Sequence, residues 1–519
     1  MFRILHRTLT LFSFLSLGAA ALAQTPIPAP AGTTASTPKG WTGFADDPQH
    51  RAQSRVASQP LAQIHWSAPV DLQPQYSGSA LLIHYGSPLA TRHSTIVFPV
   101  KTGAVGGFEV QGRKSSDGTL VWSTSTDYVW PPYNWGPSVG CTLTPANAVA
   151  IPAAGGTILL RSSADAAAGT VQRLAFFGLA SYLANQATYD ANVQIDTPIT
   201  SDAAGNLYFG FLVTGATPTG LSSGLARISA SGTGSWISAA AASLDGSIQK
   251  VTFNCAPALS PDGSSVYVEV NDSPGTGFGF GYLLKLNATT LAFQARARLK
   301  DAASGSDAYL PDDGTASPMV GPDGHVYIGV LENPFPGNND RGWLLHFDGA
   351  LASSGLPGAF GWDNTPSVVP RSAVPSYTGT SPYLLFCKYN NYAGIGGDGV
   401  NKIAVLDPRT SMVDPVTSAN VMDEVITIAG PTPDPGWTGT FPNAVREWCI
   451  NTGVVDPLRR CALVNSEDGI LYRWDFATNS FVQSIVLTAG IGEAYTPTII
   501  ASDGTVYSIN NAILFAVGR

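Results

Sequence analysis

The chain has 519 residues, a formal net charge of −9 and only 12% charged residues. Its 44% hydrophobic content excludes disorder, and an acidic balance without a basic cluster excludes nucleic acid or an anionic membrane as partner. A single core seldom exceeds about 250–300 residues, so several domains or one repeat array is expected.

In chain order, Arg3, His6 and Arg7 precede an apolar run over residues 9–22 that closes on Ala21-Leu22-Ala23. A basic start, a short apolar core and a small-residue cleavage site predict a signal peptide over 1–23. The run is shorter than the about 20 residues a membrane helix needs, and no cysteine follows it to carry a lipid. The expectation is export to the periplasm or extracellular space without membrane insertion. Residues 24–50 are predicted to be a flexible Pro/Ala/Thr-rich leader and 51–519 one domain.

Beyond the leader, helical periodicity is nearly absent and one unit recurs. Its first strand starts at a Pro, as in Thr197-Pro198-Ile199, Ala256-Pro257-Ala258 and Ser317-Pro318-Met319. A tight Ala-Gly or Asp-Gly turn leads to a second strand such as Val266-Tyr267-Val268 or Val326-Tyr327-Ile328. Third strands are predicted at Val110, Leu174, Ile228, Leu286, Phe347, Leu406, Trp474 and Val517, a repeat of about sixty residues. Units six and seven diverge, with first strands expected near Pro366 and at Cys449 to Gly453. Four short antiparallel strands per unit describe an all-β, eight-bladed β-propeller. The last unit, residues 496–519, stops after its third strand. Residues 64–69 near the N-terminus are expected to complete it and close the ring, which removes exposed strand edges.

This pattern resembles the quinoprotein-like β-propellers built from pyrroloquinoline-quinone repeats, over residues 64–519. The resemblance rests on the Pro-initiated first strand, the Asp-Gly-x-Val-Tyr turn and the third strand ending Leu-Asp or Leu-Asn. It implies a dehydrogenase that uses pyrroloquinoline quinone and Ca²⁺. The chain departs from the family in two ways: its tryptophan-docking signature survives only in fragments such as Asp117-Gly118-Thr119-Leu120-Val121-Trp122, and it has no two adjacent cysteines.

Long loops rich in Gly, Asn, Pro and Asp at 214–224, 271–281, 333–342 and 390–399 all join second to third strands. In this strand order they share a face with the lead-in to each first strand. Residues expected around the channel mouth on that face are Tyr85, Asn134, Asp196, Asn254, Asp313, Asp363, Asn364, Arg446, Glu447, Glu493 and Tyr495. Carboxylates converging with an Arg suit a cation such as Ca²⁺ or a polar ligand such as a sugar, while capping of turns by Asp and Asn is the plainer account of any one position. Five cysteines without a Cys-x-x-Cys exclude a zinc ribbon, thioredoxin chemistry and c-type haem, and a disulfide is expected between Cys449 and Cys461 across a hairpin. The leading functional expectation is an exported, monomeric, non-catalytic propeller that binds a small polar ligand or a protein through this face. The alternatives are a quinone- and Ca²⁺-dependent dehydrogenase and a carbohydrate-active enzyme with two channel carboxylates.

Overall fold

The computed structural model describes residues 40–519 apart from 79, 82–84, 131–139, 276, 313, 315 and 491–496. Eight antiparallel sheets follow one another as the blades of a propeller. Blade one runs Leu89–Ala90, Thr95–Gly103, Gly106–Lys114 and Leu120–Thr126, and the others repeat this order outward from the channel. Second strands such as Leu207–Val213 and Ser265–Asn271 are buried on both faces, because each lies sandwiched between neighbouring blades. Outermost strands such as Ser480–Val486 alternate instead, as a half-solvated strand must. Among the described residues no helix is long and apolar enough to cross a membrane.

The repeated turn explains itself locally. Gly263, Gly324 and Gly504 take left-handed φ of 69°, 84° and 84°. The preceding carboxylates of Asp262, Asp323 and Asp503 accept the backbone N–H two residues on. The tyrosine that follows ties one blade to the next. Tyr208 donates to Ala288 O at 2.9 Å, Tyr267 to Gly349 O at 2.6 Å and Tyr507 to Ser115 Oγ at 2.9 Å.

Seven of the predicted third-strand positions lie in third strands, and the closure is as expected: Gln63–Pro69 pairs with Ile513–Gly518, from Ile64 opposite Val517 to Pro69 opposite Ile513. Leu174 is the exception. It lies in the outermost strand of blade two, Val171–Ala175, and the third strand is Thr157–Arg161. That blade has a tight second turn and a long third one, the reverse of blade three, so the repeat slips by one strand. In blade seven the first strand is Val454–Asp456 rather than Cys449 to Gly453.

Two further expectations are corrected. No disulfide joins any of the five cysteines. The hairpin register sets Val454 opposite Leu463 and Asp456 opposite Cys461, so Cys461 sits at the turn and Cys449 lies beyond the other end. Each has its own partner: Arg473 Nη1 donates to Cys461 Sγ at 3.2 Å, and Cys449 Sγ lies 3.6 Å from Glu467 Oε2. The leader also ends sooner than residue 50. From Trp41 the chain spirals along the innermost strands: Trp41 N donates to Ala90 O, Leu143 N to Thr42 O, Leu259 N to Pro48 O, Val320 N to Gln49 O, Val368 N to Arg51 O and Val455 N to Ala52 O, at 2.7–2.9 Å. Six blades are thereby tied to one strap before it enters blade eight. Ala45, Asp46, His50 and Ala52 all take positive φ to make the curve.

Candidate functional site

Asn134, Asp313, Glu493 and Tyr495 lie outside the described residues. The other expected positions fall into local groups spread over several blades, each built around a cation, of which only Arg446 was among the expected residues.

At blade one, Tyr85 donates to Asp71 Oδ2 at 2.9 Å, and Lys101 Nζ donates to Asp71 Oδ1 at 2.8 Å. Burial, with the Asp71 charge, pushes the Tyr85 phenol well above its ordinary range. At blade six, Asp363 meets Lys388 Nζ at 3.4 Å, and Asn364 Oδ1 accepts Lys388 N at 3.3 Å. The Asn364 Nδ2 is buried without a partner. At blade seven, Arg446 Nη1 stands 3.5 Å from both Asp434 and Glu467, and ligand atoms of Glu447, Cys449 and Glu467 lie within 4.8 Å of one another. Burial, then the neighbouring Glu447, lifts the Glu467 carboxyl to about 7.

The densest group joins blades three, four and five. Lys250 Nζ donates to Asp312 Oδ2 at 2.6 Å and to Gly275 O at 2.7 Å. Both side chains of the pair are almost fully buried. Asn254, at a left-handed φ of 63°, takes Asp196 O on its N–H and donates Nδ2 to Asp312 O and Gly314 O. Asp363 has the same backbone feature at 52°, and Asn and Asp are the residues that tolerate it best. Asp196 is only 4% exposed, and neither carboxylate oxygen has a hydrogen-bond partner. Burial raises its carboxyl well above the usual range, opposed by Lys250 and reinforced by Asp312. Glu269, on the second strand of blade four, is equally buried with Oε2 unpartnered, and burial lifts it to about 8. It lines a cavity of about 10 Å³ with Thr252, Gly314, Trp362 and Asp363, room for a single water.

No family model matches this chain, and no curated protein matches its sequence. The fold has solved counterparts. A europium-containing methanol dehydrogenase superposes with a TM-score of 0.54 at 9% identity, over 91% of this chain and 89% of its own. The quinohemoprotein alcohol dehydrogenase from Comamonas testosteroni gives 0.53 at 10% identity, over 93% and 77%. The quinohemoprotein alcohol dehydrogenase ADHIIG from Pseudomonas putida HK5 gives 0.51 at 12%, over 93% and 76%. The chain has the quinoprotein-like propeller fold. At these identities the likeness is one of fold, and function has to be argued from the site.

The residues do not fit the quinone. The family's adjacent cysteines have no counterpart: Cys141, Cys255 and Cys387 belong to separate blades, and Cys449 and Cys461 lie at opposite ends of a hairpin. A resident Ca²⁺ fits poorly as well. Asp71, Asp312 and Asp363 each hold a lysine ammonium, and Asp434 and Glu467 share Arg446. The buried charges that sequence reasoning missed did leave a signal. Lys101, Lys388 and Glu269 are lone charges in the apolar runs Phe98-Pro99-Val100-Lys101, Leu385-Phe386-Cys387-Lys388 and Val266-Tyr267-Val268-Glu269-Val270. A charge inside a fully buried strand requires a partner.

Proposed function

We propose that this protein is an exported propeller that binds a small polar ligand through its loop-rich channel face. The observation that carries the reading is Asp196, a buried carboxyl with neither oxygen hydrogen-bonded, at the lead-in to a blade. A buried polar group left unsatisfied costs about 1–3 kcal/mol. Here several accumulate on one face: the Asp196 oxygens, Glu269 Oε2 and Asn364 Nδ2. Donors and acceptors of the kind a polyol or saccharide carries suit such groups, while the cavity beside Glu269 itself has room for one water. Export rests on the N-terminal 23 residues and is checked by recovering the mature chain from the periplasm or medium.

The test is a thermal-shift and calorimetric screen of the native chain against polyols, saccharides and amino compounds. A saturable rise in melting temperature is expected, lost in Asp196→Asn with the fold intact. A hit whose binding is indifferent to Asp196 and Glu269 would sink the reading. The same screen reads turnover. Hydrolysis of a bound saccharide, lost in Glu447→Gln and Glu467→Gln, would favour an enzyme in which Glu467 donates the proton beside Glu447.

A further inference from the structure

Blade seven brings a thiol and two carboxylates to one point. Glu447 and Cys449 stand two residues apart in its lead-in, and Glu467 lies in the turn between its strands Cys461–Asn465 and Ile470–Asp475. Packing holds the three together. Trp448, the fully buried residue between Glu447 and Cys449 in sequence, packs on Tyr472 and Phe481. Its N–H donates to Asn390 Oδ1 at 3.2 Å, and its C=O accepts from Asn390 Nδ2 at 3.3 Å. Ser466 Oγ donates to Glu447 O at 3.0 Å, which ties the turn to the lead-in.

The Cys449 sulfur stands 3.6 Å from Glu467 Oε2 and 3.9 Å from Glu447 Oε2. A tetrahedral zinc centre, with Zn–S about 2.3 Å and Zn–O about 2.0–2.2 Å, sets sulfur and oxygen about 3.5 Å apart. One thiol proton can serve only one of the two oxygens that face it, whereas one ion serves both. Arg446 Nη1 lies 3.5 Å from the other Glu467 oxygen, Oε1, and so turns Oε2 toward the sulfur, as outer partners of ligating carboxylates do. The same guanidinium is shared with Asp434, so this group of described residues sets one positive charge against three carboxylates.

We infer that Glu447, Cys449 and Glu467 form a site for one divalent ion of the zinc type, with a fourth position left to water. Binding drives the thiol proton into solvent. The sulfur separates this site from a calcium site, because Ca²⁺ takes oxygen ligands and a thiolate selects a softer ion. The inference does not rest on the ligand group around Asp196.

The experiment uses the untagged chain, stripped with EDTA and dialysed. Zn²⁺ is titrated by calorimetry and counted by metal analysis. Co²⁺ serves as the spectroscopic probe, because its bond to a thiolate gives a charge-transfer band in the near ultraviolet. One Zn²⁺ per chain and the Co²⁺ band are expected in the native chain. Cys449→Ser is expected to lose the band, and Glu467→Gln to bind Zn²⁺ roughly tenfold more weakly or worse, each folded by circular dichroism. A folded native chain that takes up no Zn²⁺ and shows no band would overturn the inference, as would a band that survives in Cys449→Ser or is abolished by Ca²⁺. Should Cys449→Ser fail to fold, the carboxylates decide: weaker Zn²⁺ binding in both Glu447→Gln and Glu467→Gln supports the site, and unchanged binding in either refutes it.

Discussion

Glu269 shows how far one buried side chain can set a property of the whole protein. Its carboxyl is lifted from an ordinary 4.5 to about 8, first by burial. Between those values the native state keeps its proton while the unfolded chain has lost it. The unfolded state therefore binds fewer protons, and stability falls as pH rises from about 4.5 to 8, by at most about 1.4 kcal/mol per pH unit for one such site. Glu269→Gln removes the titration. Its melting temperature is expected to gain on the native chain steadily from pH 5 to pH 8. A constant difference across that range would show that Glu269 ionises in place. Residues of this kind escape a reading of turns and repeats. The apolar run around Glu269 marks it as a buried charge, but only the neighbouring blade decides that its carboxyl is left without a cation.

The element that most changes the picture is the strap over residues 40–59. Its amide and carbonyl groups pair with the inner edges of six blades, edges that would otherwise face an open channel. His50 is its buried centre, donating Nδ1–H to Pro318 O at 2.7 Å, with its ring edge-on to Phe44. Burial lowers its imidazole from 6.5 to about 4. The contribution of a neutral His50 is thus fully present above about pH 6.5 and is lost as pH falls toward 4, because the unfolded chain takes up the proton first. Hydrogen exchange should report this directly. Corrected for intrinsic rates, the amides of Leu259, Val320 and Val368 are expected to exchange faster at pH 5 than at pH 7, and a His50→Phe variant to flatten the difference. Equal protection at both pH values would mean that the strap does not feel His50. Composition placed residues 40–50 with the flexible leader because Ala45, Asp46, His50 and Ala52 carry no glycine to advertise their left-handed turns. That strap becomes stable only when the ring surrounds it.

At the scale of the ring, closure joins residues far apart in sequence: strand Gln63–Pro69 supplies the fourth strand of the blade made by the C-terminus. Deleting residues 512–519 removes its partner and exposes edges on both sides of the gap. An aggregating or protease-labile product is expected, and a deletion that left the melting temperature unchanged would refute the role of this seam. Blade number, closure and the loop-rich face were legible because they rest on local chemistry: Asp-Gly turns that need positive φ, Pro at strand starts and tyrosines two residues past each turn. Blade two slipped by a strand where loop lengths are reversed, and the Cys449–Cys461 disulfide failed because pairing depends on a register that spacing alone does not set. The expected channel residues that the structure describes lie in local groups on separate blades, each at the lead-in that strand order predicts. Their chemistry was not legible. Whether Asp196 stays without a partner, whether Asp312 meets Lys250 and whether Glu467 shares Arg446 depend on contacts between blades about sixty residues apart in sequence, and only packing decides which charges are buried together.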